Sequence, residues 1–597
     1  MDQDRQFNNQ SLKKFEFPHI APVSNPVQQT FMLRLVGLLT LSVHLLPFSQ
    51  VFGYKWPGDP RHEALEKFIY EGTRPDAIDF FSALGNCRFR ITPPEVQATT
   101  VAATWLRFNI GNGLKLTQIE YRDFPTKYVS NADIIAIGAA AAVATCGGPL
   151  IPLRTGRIDA ESAGKHGVPE PKQDLQTHTE KFRLQGFNST EMIELVACGH
   201  TMGGVESADF PLIVDIRPTD PSFPSVSAPF DNTTNIFDTS VVTQYLNGTT
   251  QNPLVVSNNV TARSDLRIFN SDGNVTMHKL SDPVVFQNRC AVLLGRMIDT
   301  VPAGVQLSAP IEVIPEIPHA STSFQIVNKQ VTFLTSLRLA KPISDPFVSG
   351  SQISFHWCDR YGSNAGFSNR VKGSPEAFRL SGSPMLIRSG RDFRVYPFQA
   401  PIQASRSVSR FWWEIDQGNG RNSIKIDNEG EQYPVVQDEI IYAPTLSNIG
   451  IVGSFPPGPI QPPIKRWLFA VVGIRKEIRP TKVYLELLDY TFIPIHKTTL
   501  TNITQEFSRN TTLPHTPGYN LYSAYVEYFG QAPTLDFTLE VNGRKTTLPY
   551  QPVSIGHLLM DHRFIASIGR VDRVPYDRRP PKPPKPCPRP AALCSTH

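Results

Sequence analysis

The pattern of apolar residues changes near Val301, and one kind of regular structure cannot serve both sides of that point. Upstream, apolar positions recur at helical spacing: Leu65, Phe68 and Ile69 within His62–Arg74, the alanine-rich VQATTVAATWLRF of Val96–Phe108, and Met192, Val196 and His200 at intervals of four. Downstream, short runs of Val, Ile, Phe and Tyr alternate with Pro, Gly, Ser and Asn, as in SFQIVNKQVTFL, SQISFHWCDRYG, SRFWWEID and WLFAVVGI. Such spacing suits antiparallel sandwiches. Asn542 followed by Gly543, inside LDFTLEVNGRKTTL, predicts a two-residue hairpin turn. At 597 residues the chain is too long for one core. The expected fold is multidomain, with a mainly α-helical domain at 54–305 followed by β-sandwich domains at 306–440 and 441–560.

A net charge of +5 over this length is small, and no basic stripe is interleaved with aromatic residues, so nucleic acid is not an expected partner. Met32 opens a second start: Leu33 and Arg34 precede an apolar run from Leu35 to Leu46, then Pro47 and a small-residue exit near Gly53. That order matches a signal peptide at 32–53, with 1–31 a polar extension; a membrane anchor with a short cytoplasmic tail is the alternative. Secretion also accounts for the acceptor sites for N-glycans at Asn188, Asn232, Asn247, Asn259, Asn274, Asn502 and Asn510. Of the 7 cysteines, Cys587 and Cys594 lie in the tail, and Cys87, Cys146, Cys198, Cys290 and Cys358 in the body. Disulfides are expected, with one thiol left over.

The stretch Glu194–Gly204, ELVACGHTMGG, places His200 at the end of a helix. Asn188 with Glu191 three residues on has the form of a capping box, and Gly203 and Gly204 supply the stop. His200 shares a face with Met192 and Val196. Such a histidine is either a core residue bonded to a backbone carbonyl or a ligand.

Three further blocks accompany it: AATWLRF ending at Phe108, FPTKYVSNADIIAIGA from Phe124, and CGGPLIPLRTGRIDA from Cys146 to Ala160. With ELVACGHTMGG, these resemble the plant, fungal and bacterial haem peroxidase superfamily, and most nearly its secreted fungal members, over about residues 55–305. The resemblance implies haem b held by His200 as axial iron ligand, with Nδ1 donating to the carboxylate of Asp265 in the matching VTARSDLRIF segment, next to Ser264. It also implies a Ca²⁺ beside the proximal helix, held by Thr201, Asp231, Thr233, Ile236 through its carbonyl, and Asp238. Without the resemblance, DNTTNIFD is an ordinary turn and Asp265 a helix cap.

The pattern breaks on the opposite face. The family places Arg-x-x-Phe-His there, the arginine to stabilise departing hydroxide and the histidine to move a proton. Arg107 matches the arginine, but Phe108, Asn109, Ile110 and Gly111 follow, so glycine stands at the histidine position. WLRF runs straight into NIGNGLKLTQIEYRDFPTKYVS, and the acidic, glycine-rich loop that carries the second Ca²⁺ site in relatives is missing. Either an exon is missing from the sequence or the loss is genuine. Asn109–Phe124 is expected to be the least ordered part of the domain. His62, His166 and His178 read as surface or loop residues.

The resemblance implies a secreted enzyme that uses H₂O₂ to oxidise organic donors by one-electron steps, impaired by the absent histidine. The alternatives are a non-catalytic haem-binding protein and a protein that binds glycan or cell wall. For the last, Trp357 with Tyr361, or Trp412 with Trp413, would form the platform, although aromatics in sandwich strands usually build core. The tail at 561–597 contains RRPPKPPKPCPRP, an extended basic segment suited to anionic wall polymers.

Overall fold

The computed structural model describes residues 54–74, 121, 124–160, 168–215, 226–319, 322–343, 352–366, 368–373, 378–380, 383–418, 420, 422–452, 465–493, 497–530 and 533–551. Contacts divide the chain into Met1–Tyr54 and Lys55–His597, and the elements below lie in the second unit. The expected signal peptide, the expected Val96–Phe108 helix, Arg107, the Asn109–Gly111 break, His166 and the basic tail lie outside the described residues. So does most of Asn109–Phe124. No helix among the described residues is long and apolar enough to cross a membrane.

The helical part begins with α1 (Pro60–Glu66), capped by Asp59 and continued by a π turn to Glu71. Then come α2 (Asn131–Thr145), α3 (Leu175–Leu184) and α4 (Ser189–Gly199). Next are α5 (Ser240–Leu246), α6 (Pro253–Val256), α7 (Ser264–Phe269), α8 (Val275–Leu280) and α9 (Pro283–Ile298). α2 is buried almost all round by its alanines and isoleucines, so the loop after it has to hold its polar N-terminus. Asp159 accepts from the backbone N–H groups of Asn131 and Ala132 at 3.0 and 2.8 Å. Arg157 donates to Asp133 at 2.9 Å and to the Ile298 carbonyl at the end of α9. The block from Cys146 to Ala160 is thus the clamp that locates α2. Gly148 has no room for a side chain: a Cβ there would lie 2.8 Å from the Phe237 ring. That close approach carries the DNTTNIFD turn against the end of α2, where Phe237 N–H donates to the Cys146 carbonyl.

The patterning expectation of a mainly helical domain followed by sandwiches does not survive. Strand accounts for 31 % of the structure against 26 % helix. A ten-stranded sheet joins Ser323–Val327, Gln330–Pro342 and Arg391–Pro401 to Ile440–Tyr442, Arg466–Arg475 and Tyr519–Tyr528. Alternation along its strands feeds three cores. Leu337 and Leu339 face the five-stranded sheet with Phe355, Phe411 and Trp413, whereas Ala340 and Phe393 join the helical core of Leu65, Phe68 and Ile137. Ile440 and Tyr442 face the four-stranded sheet, whereas Ile441 between them faces the five-stranded one. Element type is local, but which strands pair is not, so periodicity could not reveal a sheet shared by all three cores. The expected hairpin is present: Asn542 and Gly543 have φ of 49° and 84° and link Thr534–Val541 to Arg544–Gln551.

α1 meets the sheet through charge. Arg338, 0 % exposed, reaches Glu66 at 2.7 Å and Glu71 at 2.5 Å, while Phe393 lies 4.3 Å beneath its guanidinium. His319 Nε2 completes the nest 3.0 Å from Glu71. Burial by itself would raise the Glu71 carboxyl, but His319 and Arg338 outweigh it and hold it far below the usual carboxylate range. Burial pushes the neighbouring Lys67 ammonium down.

Candidate functional site

α4 starts as its sequence requires. Asn188 accepts from the Glu191 N–H at 2.9 Å, and the Glu191 carboxylate accepts from the Asn188 N–H at 3.0 Å. Met192 and Leu195 are buried, and His200 is the C-cap residue, with φ −90° and ψ 15°. Two cross-ties fix the register of α4 on α9: Glu194 pairs with Arg289, and Cys198 is disulfide-bonded to Cys290. Cys146 is also disulfide-bonded, and Cys358 is free.

The His200 ring leaves the helix end toward α7. Its Nδ1 lies 2.7 Å from Asp265 Oδ2, although the two residues are 65 apart in sequence. Asp265 is 1 % exposed, whereas the His200 side chain is 29 % exposed. Phe230 stacks on the imidazole with centroids 4.2 Å apart and planes 11° apart, which leaves the ring little freedom to tilt. Among the described residues Nε2 makes no hydrogen bond. The geometry is a directed imidazole, fixed by one nitrogen and open at the other. Ser264 Oγ lies 3.2 Å from Asp265 Oδ1, and Asn252 donates to Oδ2 at 2.8 Å.

Sequence reasoning found His200, Asp265 and Ser264 but missed Phe230 and Asn252. Asn252 stands before Pro253, a signal that reads only as a turn or helix cap. Nothing local placed its amide against α7.

A second group forms beside the helix end. Thr201, 0 % exposed, donates from Oγ1 to the Asp238 carbonyl at 2.6 Å and accepts from the Asp238 N–H at 3.1 Å. Thr233 Oγ1 lies 3.2 Å from both Asp231 Oδ1 and Asp238 Oδ1. Ile236 is in the same turn, its N–H bonded to the Thr233 carbonyl. Asp231 Oδ2 is buried with no hydrogen-bond partner among the described residues. Burial, with Asp238 adding negative charge, pushes the Asp231 carboxyl up to about 6. Among the described residues no three His, Cys, Asp or Glu side chains gather as a metal cluster; the oxygens here come from two carboxylates, hydroxyls and backbone.

Other expectations are corrected. His178 is not a surface residue: it is 1 % exposed, with Nε2 2.8 Å from the Glu170 carbonyl. Trp412 and Trp413 are 4 % and 0 % exposed, so that pair offers no platform, whereas Trp357 is half-buried against the same core and Tyr361 is exposed.

Residues 113–281 match the peroxidase family, described as Peroxidase, and this segment contains His200, Thr201, Asp231 and Asp265. The chain therefore carries a peroxidase-family segment. Among similar proteins, a WSC domain-containing protein of Arthroderma benhamiae is 36% identical over 51% of this chain and 41% of its own length. Peroxidase 44 of Arabidopsis thaliana is 32% identical over 18% of this chain and 36% of its own. The mitochondrial cytochrome c peroxidase of Yarrowia lipolytica is 35% identical over 14% and 24%. The chain spans less than half the length of these relatives.

Proposed function

We propose that this protein binds haem b through His200 Nε2 and uses H₂O₂ to oxidise organic donors by one-electron steps. The observation that carries the reading is the 2.7 Å contact of His200 Nδ1 with Asp265 Oδ2 inside the peroxidase-family segment. The residues fit the group, because the half-exposed ring has its far nitrogen open while the near one is held by a hidden carboxylate. When bound, the haem iron supplies the redox centre that accepts oxidising equivalents from peroxide. Asp265 holds the proton on Nδ1 and makes the imidazole a stronger donor, favouring the ferric state. Phe230 keeps the ring plane fixed. Arg107, outside the described residues, is proposed from its motif alone to stabilise the departing hydroxide.

The second reading, haem binding without turnover, is favoured by Gly111 at the position of the family's histidine. The two separate on the full-length chain. Haem titration is expected to give a Soret band that His200→Ala abolishes, and a phenolic dye with H₂O₂ is expected to turn over slowly. No haem uptake rejects both readings; uptake with no turnover, even after a histidine-bearing segment is restored after Phe108, leaves the second.

The Thr201, Asp231, Thr233, Ile236 and Asp238 oxygens are proposed as the single Ca²⁺ site, supported by Asp231 Oδ2, which has no partner among the described residues and which a hard cation would satisfy. Ca²⁺ is expected to raise the melting temperature, and Asp231→Asn to remove most of that rise; an equal rise in the variant rejects the site. Secretion and N-glycosylation are proposed from the acceptor asparagines, all of which are exposed or half-buried. Intact-mass analysis of protein from a secreting host, before and after deglycosylation, checks this: an unchanged mass is the contrary result.

A further inference from the structure

We infer that Asn252 is a positioning residue that sets how strongly His200 donates to iron, by competing for the oxygen of Asp265 that holds the His200 proton. The inference rests on the haem reading above. Asp265 Oδ2 accepts from two donors, His200 Nδ1 at 2.7 Å and Asn252 Nδ2 at 2.8 Å, and Oδ1 takes Ser264 Oγ at 3.2 Å. The orientation of the Asn252 amide follows from its other end. Oδ1 accepts from the Leu254 N–H at 2.8 Å, so a flipped amide would face N–H with NH₂ and carboxylate with carbonyl. Asn252 is 0 % exposed, so bulk solvent does not reach either contact.

Two donors on one oxygen share its electron density. The Asn252 bond draws charge from Oδ2 and weakens the pull on the Nδ1 proton, which makes the imidazole a poorer donor than Asp265 alone would. A poorer donor favours ferric iron less. Asn252 therefore raises the reduction potential, and losing its amide lowers it. Asn252 also caps α6, and a purely structural role would operate through that cap.

Asn252→Ser separates the two roles: serine is a good helix cap, and its shorter side chain falls short of Asp265. The full-length chain, reconstituted with haem, is measured by spectroelectrochemistry for the ferric/ferrous midpoint and by resonance Raman for the ferrous iron–histidine stretch. Both readouts are independent of turnover. Asn252→Ser and Asn252→Ala are each expected to shift the midpoint to more negative potential and the stretch to higher frequency. Unchanged values in both variants, or a shift in Asn252→Ala that Asn252→Ser restores, overturn the inference while leaving the haem reading intact. Failure of the unsubstituted chain to take up haem rejects the haem reading, and the inference falls with it.

Discussion

The Asp265 carboxylate and the Arg338 guanidinium are almost equally hidden, 1 % and 0 % exposed, yet their surroundings differ in kind. Around Arg338 the charges close on themselves, although its buried Nε has no hydrogen-bond partner among the described residues. Glu66 and Glu71 meet its two terminal nitrogens, His319 takes a remaining oxygen, and Phe393 covers the face. Around Asp265 the network stays open, because it passes through His200 to a nitrogen with no described partner, and Asp231, next in sequence to the stacked Phe230, has an Oδ2 with none either. A closed nest of opposite charges joins elements, whereas an open one retains capacity for something the chain does not itself supply.

The contrast is tested most severely at its closed end. Arg338→Leu leaves two buried carboxylates without their cation, and a loss of about 3–5 kcal/mol is expected in denaturant unfolding. A loss below 1 kcal/mol would mean that the nest does not join α1 to the sheet. Glu71→Gln tests the same nest through pH, with a smaller expected cost at neutral pH of about 1–3 kcal/mol. The Glu71 carboxyl titrates far lower folded than unfolded, so the folded state binds fewer protons. Its contribution is full above about pH 4.3, the ordinary glutamate value, and is lost as pH falls below that value. Melting curves between pH 3 and 6 should therefore fall less steeply with acid in the variant; parallel curves would contradict the assignment. Smallest of all should be Lys55→Ala. Lys55 pairs with Glu431 at 2.5 Å, but the side chains are 52% and 63% exposed, and a change within about 0.5 kcal/mol is expected. A larger cost would show that closeness, not burial, governs these pairs.

What the sequence disclosed follows the same division. The capping box at Asn188 and Glu191 and the Asn542–Gly543 turn are written within a few residues, and both are present in the structure. His200 and Asp265 were legible despite their separation because each sits in a motif of its own. Arg338 with Glu66 and Glu71, 272 and 267 residues apart, carried no such mark, because a buried ion pair depends on where two distant surfaces meet. Asn252 was hidden for a different reason: its cap role fully accounts for an asparagine before a proline, so nothing was left over to signal a second contact. The shared sheet was invisible because alternation names a strand's two faces but not what lies against them.

That shared sheet limits how the molecule can be taken apart. Ile440–Tyr442 lies between Ser323–Val327 on one side and Arg466–Arg475 on the other, and its successive side chains belong to different cores. A fragment ending just ahead of it would bare a raw hydrogen-bonding margin and peel apolar cover from two interiors at once. The helices that carry His200 and Asp265, whose core reaches into the same sheet through Ala340 and Phe393, are thus anchored to a scaffold that has no clean line of excision.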